Sequence, residues 1–350
     1  MADTVPVTVL TGFLGAGKTT LLNRLLRRPE LAGTAVLINE FGEIGLDHLL
    51  VETLDENTVL LNAGCLCCSV RGDLARALRG LEPRVAAGEV RRVMIETTGL
   101  ADPAPILHTL MGDAALAVRY RLDGVVTVVD AVNAAAQMDA QPEAVRQVAV
   151  ADRLVLSKTD LAEAGSVASL TARLRRLNPS APLLTALRGE VDPAALLNCG
   201  LFESDGKIAD VRAWLDAEAF GPPDHDHGHE HGHGHGHHHP DVNRHDDRIR
   251  AFCLTWDRPL HWQGIGMFLE MLIATRGENL LRVKGILNLA GQDQPVVIHG
   301  VQHLFHEPLL LPAWPPGDDR RSRLVFITRD LDRDTVAEGL RAFEQAAGPD

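Results

Sequence analysis

Near its start the chain reads Gly12-Phe13-Leu14-Gly15-Ala16-Gly17-Lys18-Thr19. An apolar, β-branched segment at 5–10 precedes this stretch, and residues 20–28 have the composition of a helix. A strand, a glycine-rich loop and a helix in this order form a phosphate cradle, because glycines let the backbone curve and point its N–H groups inward. The amino end of the helix adds positive charge. The stretch therefore predicts a P-loop that binds a nucleoside triphosphate.

Side chains of this loop are expected to take part in the chemistry. The ammonium of Lys18 would reach the β- and γ-phosphates and serve the reaction, and the hydroxyl of Thr19 would bind Mg²⁺. The residues predicted to contact the nucleotide here are Gly12, Gly15, Ala16, Gly17, Lys18, Thr19 and Thr20.

The composition of the 350 residues limits the partners of the protein. Forty-seven acidic residues against 34 Lys and Arg give a net charge of −13, which argues against nucleic acid or an anionic membrane as the main partner. No apolar run is long enough to span a bilayer, and the amino terminus has neither a basic start nor a cleavage site. We therefore expect a cytoplasmic protein that binds neither nucleic acid nor a membrane.

Segments rich in Val, Ile and Leu alternate with helical patterns through the first 220 residues. This alternation predicts an α/β fold of the P-loop NTPase type, with a mostly parallel sheet that helices cover on both faces. The expected strands lie at 5–10, 35–38, 59–61, 92–95, 125–129, 154–156 and 183–185, and the clearest helical spacing lies at 73–81 and 161–177. Ligands bind at the carboxyl ends of such strands.

A second unit follows a break in this pattern. Residues 221–247 contain three prolines and ten histidines interleaved with Gly, Asp and Glu, which predicts a flexible linker. Beyond it, strands are expected at 249–255, 280–289, 295–303 and 324–328, and helices at 261–275 and 334–345. Strands without helices between them indicate a small α+β domain with an antiparallel sheet. The predicted parts are a nucleotide-binding domain at 1–220, a His-rich linker at 221–247 and a carboxyl-terminal domain at 248–350.

The segment Ser157-Lys158-Thr159-Asp160 follows the strand expected at 154–156. The carboxylate of Asp160 can accept hydrogen bonds from guanine N1–H and N2–H₂, which adenine cannot supply. The aliphatic part of Lys158 can cover one face of the base. This pattern usually begins with asparagine, so we expect Ser157 to loosen the loop and to lower the selectivity for guanine. Thr185 and Ala186 are expected to form a second wall of the base site, and the segment favours GTP.

Two acidic residues end predicted strands beside the P-loop. Glu96 is placed to hold Mg²⁺ directly or through water, with an exposed strand-end acid as the alternative. The N–H of Gly99, three residues later, is expected to bind the γ-phosphate and to sense its loss. Glu40 would orient the attacking water, lie in the outer shell of Mg²⁺ or bind a second metal, and a solvated acid without a role is equally compatible.

The motif Cys65-Leu66-Cys67-Cys68 indicates a metal site. Thiolates suit Zn²⁺, and in an extended segment Cys65 and Cys67 point to the same side. A closed structural site needs four ligands, and the chain has no second Cys-x-x-Cys, so a transferable metal is favoured. Buried thiols or a redox pair are the alternatives. Cys199 and Cys253 stand alone and are expected in the core.

The His-rich linker is predicted to bind metal weakly at several positions. Neutral imidazoles on a flexible segment can hold Zn²⁺, Co²⁺ or Ni²⁺ loosely and exchange them. The histidines expected to take part are His225, His227, His229, His231, His233, His235, His237, His238 and His239.

In sequence order, the motifs G-F-L-G-A-G-K-T-T, I-N-E-F-G, G-C-L-C-C, E-T-T-G-L-A-D-P and S-K-T-D resemble those of the CobW-type GTPases. The resemblance covers nearly the whole chain, including the His-rich linker and the carboxyl-terminal domain. It implies a GTPase that acts as a metallochaperone and hands metal to a client. In that family metal binds at the cysteines that match Cys65, Cys67 and Cys68, and Glu40 matches an acid close to metal and nucleotide.

The favoured hypothesis is a GTP-dependent zinc metallochaperone that passes metal to an apo-metalloprotein client on GTP hydrolysis, with GTP, Mg²⁺ and Zn²⁺ as ligands. Cobalt for corrinoid synthesis, or metal insertion into a nitrile hydratase, is the alternative, since a thiolate set does not fix Zn²⁺ over Co²⁺. A metal store that acts through the His-rich linker and a P-loop kinase for a small molecule are further alternatives. The expected state is a monomer, or a homodimer that depends on nucleotide or metal.

Overall fold

Seven strands form one sheet in the computed structural model, which describes residues 4–41, 58–63, 69–199, 248–314 and 317–348. The strands are β1 Val5–Thr11, β2 Thr34–Phe41, β3 Thr58–Ala63, β4 Arg92–Thr97, β5 Tyr120–Asp130, β6 Arg153–Ser157 and β7 Leu183–Ala186. Their order is β3-β2-β4-β1-β5-β6-β7, and all neighbours run parallel. Each contains a predicted strand segment, so the parallel α/β sheet is confirmed.

Helices cover both faces of this sheet. In the described part of the chain they are α1 Lys18–Leu26, α2 Ser69–Ala86, α3 Ala104–Gly112, α4 Ala114–Ala117, α5 Ala134–Ala140, α6 Pro142–Ala149, α7 Ala164–Leu177 and α8 Pro193–Leu196. Val9 of β1 lies in an apolar cluster with residues of α2 and α3, whereas the next residue, Leu10, packs with Leu21 and Leu22 of α1. Because successive strand residues point to opposite faces, both faces of β1 are buried.

Several helices differ from the sequence-based expectation. The helix expected at 161–177 begins at Ala164, because a turn follows Asp160 and leaves Leu161 71% exposed. The helices α3 to α6 were not predicted, since segments of 4 to 9 residues are too short to establish a 3.6-residue period.

Across the residues that the structure describes, no helix is long and apolar enough to cross a membrane.

The carboxyl-terminal domain contains a separate antiparallel sheet. Its elements are β8 Ile249–Trp256, α9 Trp262–Arg276, β9 Leu280–Leu287, β10 Val296–Val301, β11 Leu304–Phe305, β12 Leu309–Leu310, β13 Ser322–Arg329 and α10 Arg333–Ala347. The strand order is β11-β10-β9-β13-β8, with β12 also paired to β10. Phe268 of α9, Phe326 of β13 and Leu340 of α10 are buried in one core. The predicted α+β domain is therefore confirmed, although β10 ends at Val301 because Gln302, with φ of 53°, turns the chain into β11.

A buried ion-pair cluster joins the two sheets. Asp152, directly before β6, accepts hydrogen bonds from Arg282 and Lys284 of β9, and the distance to Lys284 Nζ is 2.8 Å. All three side chains are at most 2% exposed. Burial raises the pKa of the Asp152 carboxyl, but the two cations outweigh this effect and hold the pKa well below its usual value. The carboxyl-terminal sheet is therefore attached at the start of β6, the neighbour of the edge strand β7.

Two histidines beside this cluster predict a pH dependence of stability. Burial, reinforced by the nearby Arg282 guanidinium, lowers the pKa of His306 from 6.5 to about 4. The ring of His306 lies 5.0 Å from that of His299, whose pKa is lowered by the same two causes. The unfolded chain binds protons on these imidazoles near pH 6.5, whereas the folded chain does not until the pH is much lower. Their contribution to stability is therefore complete above pH 6.5 and is lost as the pH falls.

Each unit of a pKa difference corresponds to about 1.4 kcal/mol, so His306 is expected to account for about 3 kcal/mol of lost stability between pH 6.5 and 4. Urea unfolding at pH 7.5, 6 and 4.5 measures this loss. The variant His306→Gln should show a flatter profile, and an unchanged profile would contradict the assignment.

Candidate functional site

The phosphate loop, residues 12–19, connects β1 to α1 at the carboxyl edge of the parallel sheet. The φ angles in this loop are 139° at Gly12, 74° at Gly15 and 94° at Gly17. Residues that carry a Cβ atom rarely adopt such positive angles. A Cβ atom at Gly12 would also lie 2.3 Å from the backbone oxygen of Val128 in β5. The backbone conformation of the loop thus requires glycine at the positions where the sequence has it.

Lys18 is the first residue of α1, and only 8% of it is exposed. Its Nζ donates hydrogen bonds to the backbone oxygens of Gly12 at 2.9 Å and of Phe13 at 3.3 Å. The ammonium is therefore held against the curve of the phosphate loop. Charged phosphate oxygens are stronger acceptors than these neutral carbonyls, so a bound phosphate would take over the donors of Lys18.

Thr19 and Glu96 form a pair of oxygen ligands at the start of α1. Thr19 Oγ1 donates to Glu96 Oε1 at 2.7 Å, and Glu96 lies in β4, which pairs with β1. Glu96 is 6% exposed, so the alternative of an exposed strand-end acid is wrong. A hydroxyl and a carboxylate are ligands that Mg²⁺ prefers, and these two residues fit that ion.

Gly99 lies directly against the phosphate loop. A Cβ atom at this position would be 2.5 Å from the backbone nitrogen of Leu14, so only glycine allows the approach. Gln147 of α6, which is 1% exposed, donates from Nε2 to the backbone oxygens of Gly99 at 3.1 Å and Ala101 at 3.0 Å. The sequence did not predict this role for Gln147, because the residue is 48 positions from Gly99 and lies in a short helix.

Gln147→Leu removes the donor that fixes the loop after β4. The backbone oxygens of Gly99 and Ala101 then lose a buried hydrogen bond, at a cost of about 1–3 kcal/mol. We expect kcat for nucleoside triphosphate hydrolysis to fall about tenfold, with KM changed less than twofold, because Gln147 touches the loop and not the nucleotide. Phosphate release measures both constants. Gln141→Leu, at an exposed glutamine directly before α6, is the control, and equal kcat in the two variants would contradict the role of Gln147.

A cavity of about 170 Å³ opens beside the phosphate loop, where the base of a nucleotide would lie. Its lining residues are Ala16, Gly17, Thr20, Leu21, Val128, Ser157, Lys158, Asp160, Leu161, Ala186, Arg188 and Gly189. The exposed carboxylate of Asp160 borders this cavity, as the sequence predicted for a residue that reads guanine. Ala186 of β7 forms part of the wall, whereas Thr185 is not among the lining residues.

Two side chains tie the segment that reads the base to the phosphate loop. Ser157 Oγ donates to the backbone oxygen of Ala16 at 2.6 Å, and Lys158 Nζ donates to that of Gly15 at 2.7 Å. The serine hydroxyl thus makes a short, buried hydrogen bond to the phosphate loop, and whether serine loosens the base-reading loop relative to asparagine stays a prediction. The effect of Ser157 on guanine selectivity stays a prediction.

Asp130, at the end of β5, orients Lys158 and was not predicted from the sequence. Lys158 Nζ donates to Asp130 Oδ2 at 2.8 Å, and the side chain of Asn133 donates to the same oxygen at 2.9 Å. Burial raises the pKa of Asp130, but the hydrogen bonds from Lys158, Asn133 and the Val132 N–H together hold it below its usual value. A carboxylate at a strand end next to the phosphate loop was the available signal.

The predicted cargo site lies outside the described residues. This applies to Cys65, Cys67 and Cys68 and to the histidines of 225–239. Of Glu40 only the backbone is described, in β2, where it pairs with Asn62 of β3. In the described ranges no group of three or more His, Cys, Asp or Glu side chains is placed to hold a metal ion.

The sheet, the phosphate loop with its lysine and the Thr19–Glu96 pair define a P-loop nucleotide-binding protein. The chain belongs to the CobW/HypB/UreG family: residues 6–185 match its nucleotide-binding domain. Residues 249–344 match the carboxyl-terminal domain of the cobalamin synthesis protein CobW. The resemblance to CobW-type GTPases is therefore confirmed.

Similar proteins include two that are named zinc chaperones. The zinc chaperone YjiA of Escherichia coli is 34% identical over 335 residues, which are 95% of this chain and 96% of that protein. The zinc chaperone CobW of Pseudomonas aeruginosa is 31% identical over 369 positions, covering 96% and 91% of the two chains. A crystal structure of Zn(II)-bound YjiA GTPase from E. coli has a TM-score of 0.69 and 30% identity, and the match covers 97% of this chain and 99% of that one.

Proposed function

We propose that the protein is a GTPase that acts as a zinc metallochaperone and delivers its metal to an apo-metalloprotein client. The observation that carries the proposal is the direct contact between Gly99 and the phosphate loop. Through this contact a γ-phosphate bound at the phosphate loop would act on the segment that leads into α3, in a chain whose relatives are named zinc chaperones and a GTPase.

The nucleotide is proposed to bind along the carboxyl edge of the sheet. The phosphates would lie on the N–H groups of the loop from Gly12 to Thr20, with Lys18 at the β- and γ-phosphates. Thr19 and Glu96 would hold Mg²⁺, which neutralises the phosphate oxygens during hydrolysis. Asp160 and Lys158 would bind the guanine.

The cargo is proposed to be Zn²⁺ held by the thiolates of Cys65, Cys67 and Cys68. Glu40 would complete this site or orient the attacking water, and the histidines of 225–239 would collect metal weakly. The cysteine motif directly precedes α2, and α2 packs against α3, which follows the loop of Gly99. A change at Gly99 therefore has a short route to the residues that follow the cysteines.

Coupling between nucleotide and metal follows from linkage. A γ-phosphate bound to the N–H of Gly99 favours one position of the loop that follows β4, and loss of the phosphate releases it. If the cysteines grip Zn²⁺ better in the first state, then GTP raises the affinity for Zn²⁺ and hydrolysis lowers it. The release of metal would thereby be tied to GTP hydrolysis.

Asp160→Asn tests the identity of the nucleotide. The amide cannot accept both hydrogen bonds of guanine, so the affinity for GTP is expected to fall about 10- to 100-fold, since a bond to a charged group contributes about 1.5–3 kcal/mol. The amide can donate to the O2 of xanthine and accept from its N1–H, so XTP is expected to bind better than to the wild type. Competition with a fluorescent GDP measures both changes.

Asp257→Asn is the matched control, because Asp257 is an acid of the carboxyl-terminal domain that is 83% exposed and is not among the residues that line the cavity. It should leave both affinities unchanged. Hydrolysis of ATP by the wild type as fast as GTP would contradict the proposed base specificity.

A further inference from the structure

A wide cleft lies between the two domains, on the side of the sheet away from the base cavity. Its volume is about 740 Å³. One wall consists of α2 and α3, and the opposite wall is the turn between β10 and β11. The cleft is open to solvent, because His303 in this turn is exposed. Val301, just before the turn, is buried in the same apolar cluster as Leu107 of α3, so the turn is firmly seated on α3.

Two imidazoles from different domains meet in this cleft. The ring centroids of His108 in α3 and His303 are 4.0 Å apart, and the ring planes are inclined at 59°. Neutral imidazole is the commonest metal ligand in proteins and binds Zn²⁺ through either ring nitrogen. Two nitrogens that share one tetrahedral Zn²⁺ lie about 3.3 Å apart, since each Zn–N bond is 2.0–2.1 Å long. By the same geometry the centroids of two rings that share one Zn²⁺ lie about 5 Å apart, so the rings would have to separate from their present 4.0 Å to bind the ion.

The charged side chains next to the two histidines already have partners of their own. Arg79 of α2 pairs with Asp113 at 2.7 Å, and the other oxygen of Asp113 accepts the N–H groups of Ala115 and Leu116 at the start of α4. The guanidinium therefore does not oppose a cation as an isolated charge would. The carboxylate is equally committed to these partners. A metal ion on the two histidines would complete its coordination with water, which makes it exchangeable.

We propose that His108 and His303 form a low-affinity exchange site for Zn²⁺ that bridges the two domains. The site rests on the proposed function only in taking Zn²⁺ as the cargo. The two helices of one wall connect the cleft to the chemistry described above: α2 begins directly after Cys68, and α3 follows the loop of Gly99. Because His303 belongs to the other domain, a movement of α3 with the nucleotide would change the distance between the two rings. The site would thus form or open with the nucleotide state.

The test uses the full chain with Cys65, Cys67 and Cys68 changed to serine and the histidines of 225–239 changed to glutamine. Zn²⁺ is titrated calorimetrically into this background without nucleotide. We expect a remaining binding step that His108→Gln and His303→Gln each weaken by at least about tenfold. Loss of a residue that only hydrogen-bonds to a metal ligand already weakens metal binding about tenfold or more, so the loss of a ligand itself should do at least as much. Zn²⁺ should also raise the Tm of the background and not of the two variants, because the ion links two domains.

His261→Gln is the control, since His261 pairs with Glu344 within the carboxyl-terminal domain. It should bind Zn²⁺ as the background does. The proposal is overturned if the background binds no Zn²⁺, or if either single variant keeps the step. Since this titration contains neither nucleotide nor the cysteine motif, its failure would leave the proposed GTP-dependent function untouched. Failure of the GTP-dependent function would likewise leave the result of this titration unchanged.

Discussion

Lys18→Ala is expected to reduce GTP hydrolysis by about 10²- to 10³-fold, the range for losing one positioned donor in an active site. The reason is electrostatic. Lys18 carries the positive charge that the structure holds against the carbonyls of Gly12 and Phe13, within the curve of the phosphate loop. Alanine leaves the developing charge on the γ-phosphate without this ammonium. Single-turnover phosphate release with saturating GTP and Mg²⁺ measures the loss in the chemical step.

Arg24→Ala is the matched control for this substitution. Arg24 is another cation of α1, but it is exposed and pairs with Glu190 at 3.5 Å. Its removal changes the net charge equally and should alter the rate less than twofold. A Lys18→Ala protein that remains folded and keeps its rate within tenfold of the wild type would contradict the role of Lys18.

Asp152→Ala is expected to destabilise the protein by about 3–5 kcal/mol, the cost typical of removing one partner of a buried ion pair. Arg282 and Lys284 would then remain buried with no carboxylate between them. The N–H of Val125 would also lose its acceptor, since it donates to Asp152 Oδ2 at 2.9 Å. The effect should concentrate on the contact between the two sheets, because the cations belong to β9 and the carboxylate to the start of β6. Urea unfolding and limited proteolysis between the sheets measure it.

Glu190→Ala provides a close comparison. Glu190 also binds two arginines, Arg24 at 3.5 Å and Arg28 at 2.6 Å, but all three side chains are 44–48% exposed. An exposed pair contributes about 0–1 kcal/mol, so this variant should be nearly as stable as the wild type. If Asp152→Ala is too unstable to purify, Asp152→Asn keeps the side-chain shape and should show an intermediate loss. Equal stability of the alanine variants at positions 152 and 190 would contradict the importance of burial.

Features that depend on a short run of neighbouring residues were predictable from the sequence. The phosphate loop was identified from its glycines and Lys18, and the strands from continuous Val, Ile and Leu. Such signals lie within a few neighbouring residues. The antiparallel sheet of the carboxyl-terminal domain followed in the same way, from strands without helices between them.

Residues that meet only in the folded chain were not predictable. Gln147 reaches Gly99 across 48 positions, and Asp152 meets Arg282 across 130. The first contact depends on the order of the strands and the second on how the two domains dock, and no local period encodes either. The partner of Ser157 was unpredictable for the same reason, because its hydroxyl donates to the backbone oxygen of Ala16, 141 positions away. The sequence motif alone does not reveal this hydrogen bond between the base-reading segment and the phosphate loop.

The central claim is that the γ-phosphate of GTP controls the affinity of the cysteine motif for Zn²⁺. The direct measurement is competitive Zn²⁺ titration with a chromophoric chelator, in the presence of Mg²⁺ with a non-hydrolysable GTP analogue, with GDP and without nucleotide. Allosteric coupling of 1–3 kcal/mol predicts an affinity about 5- to 150-fold higher with the analogue than with GDP, and Cys67→Ala should abolish that difference. Equal Zn²⁺ affinity in all three nucleotide states would contradict the account.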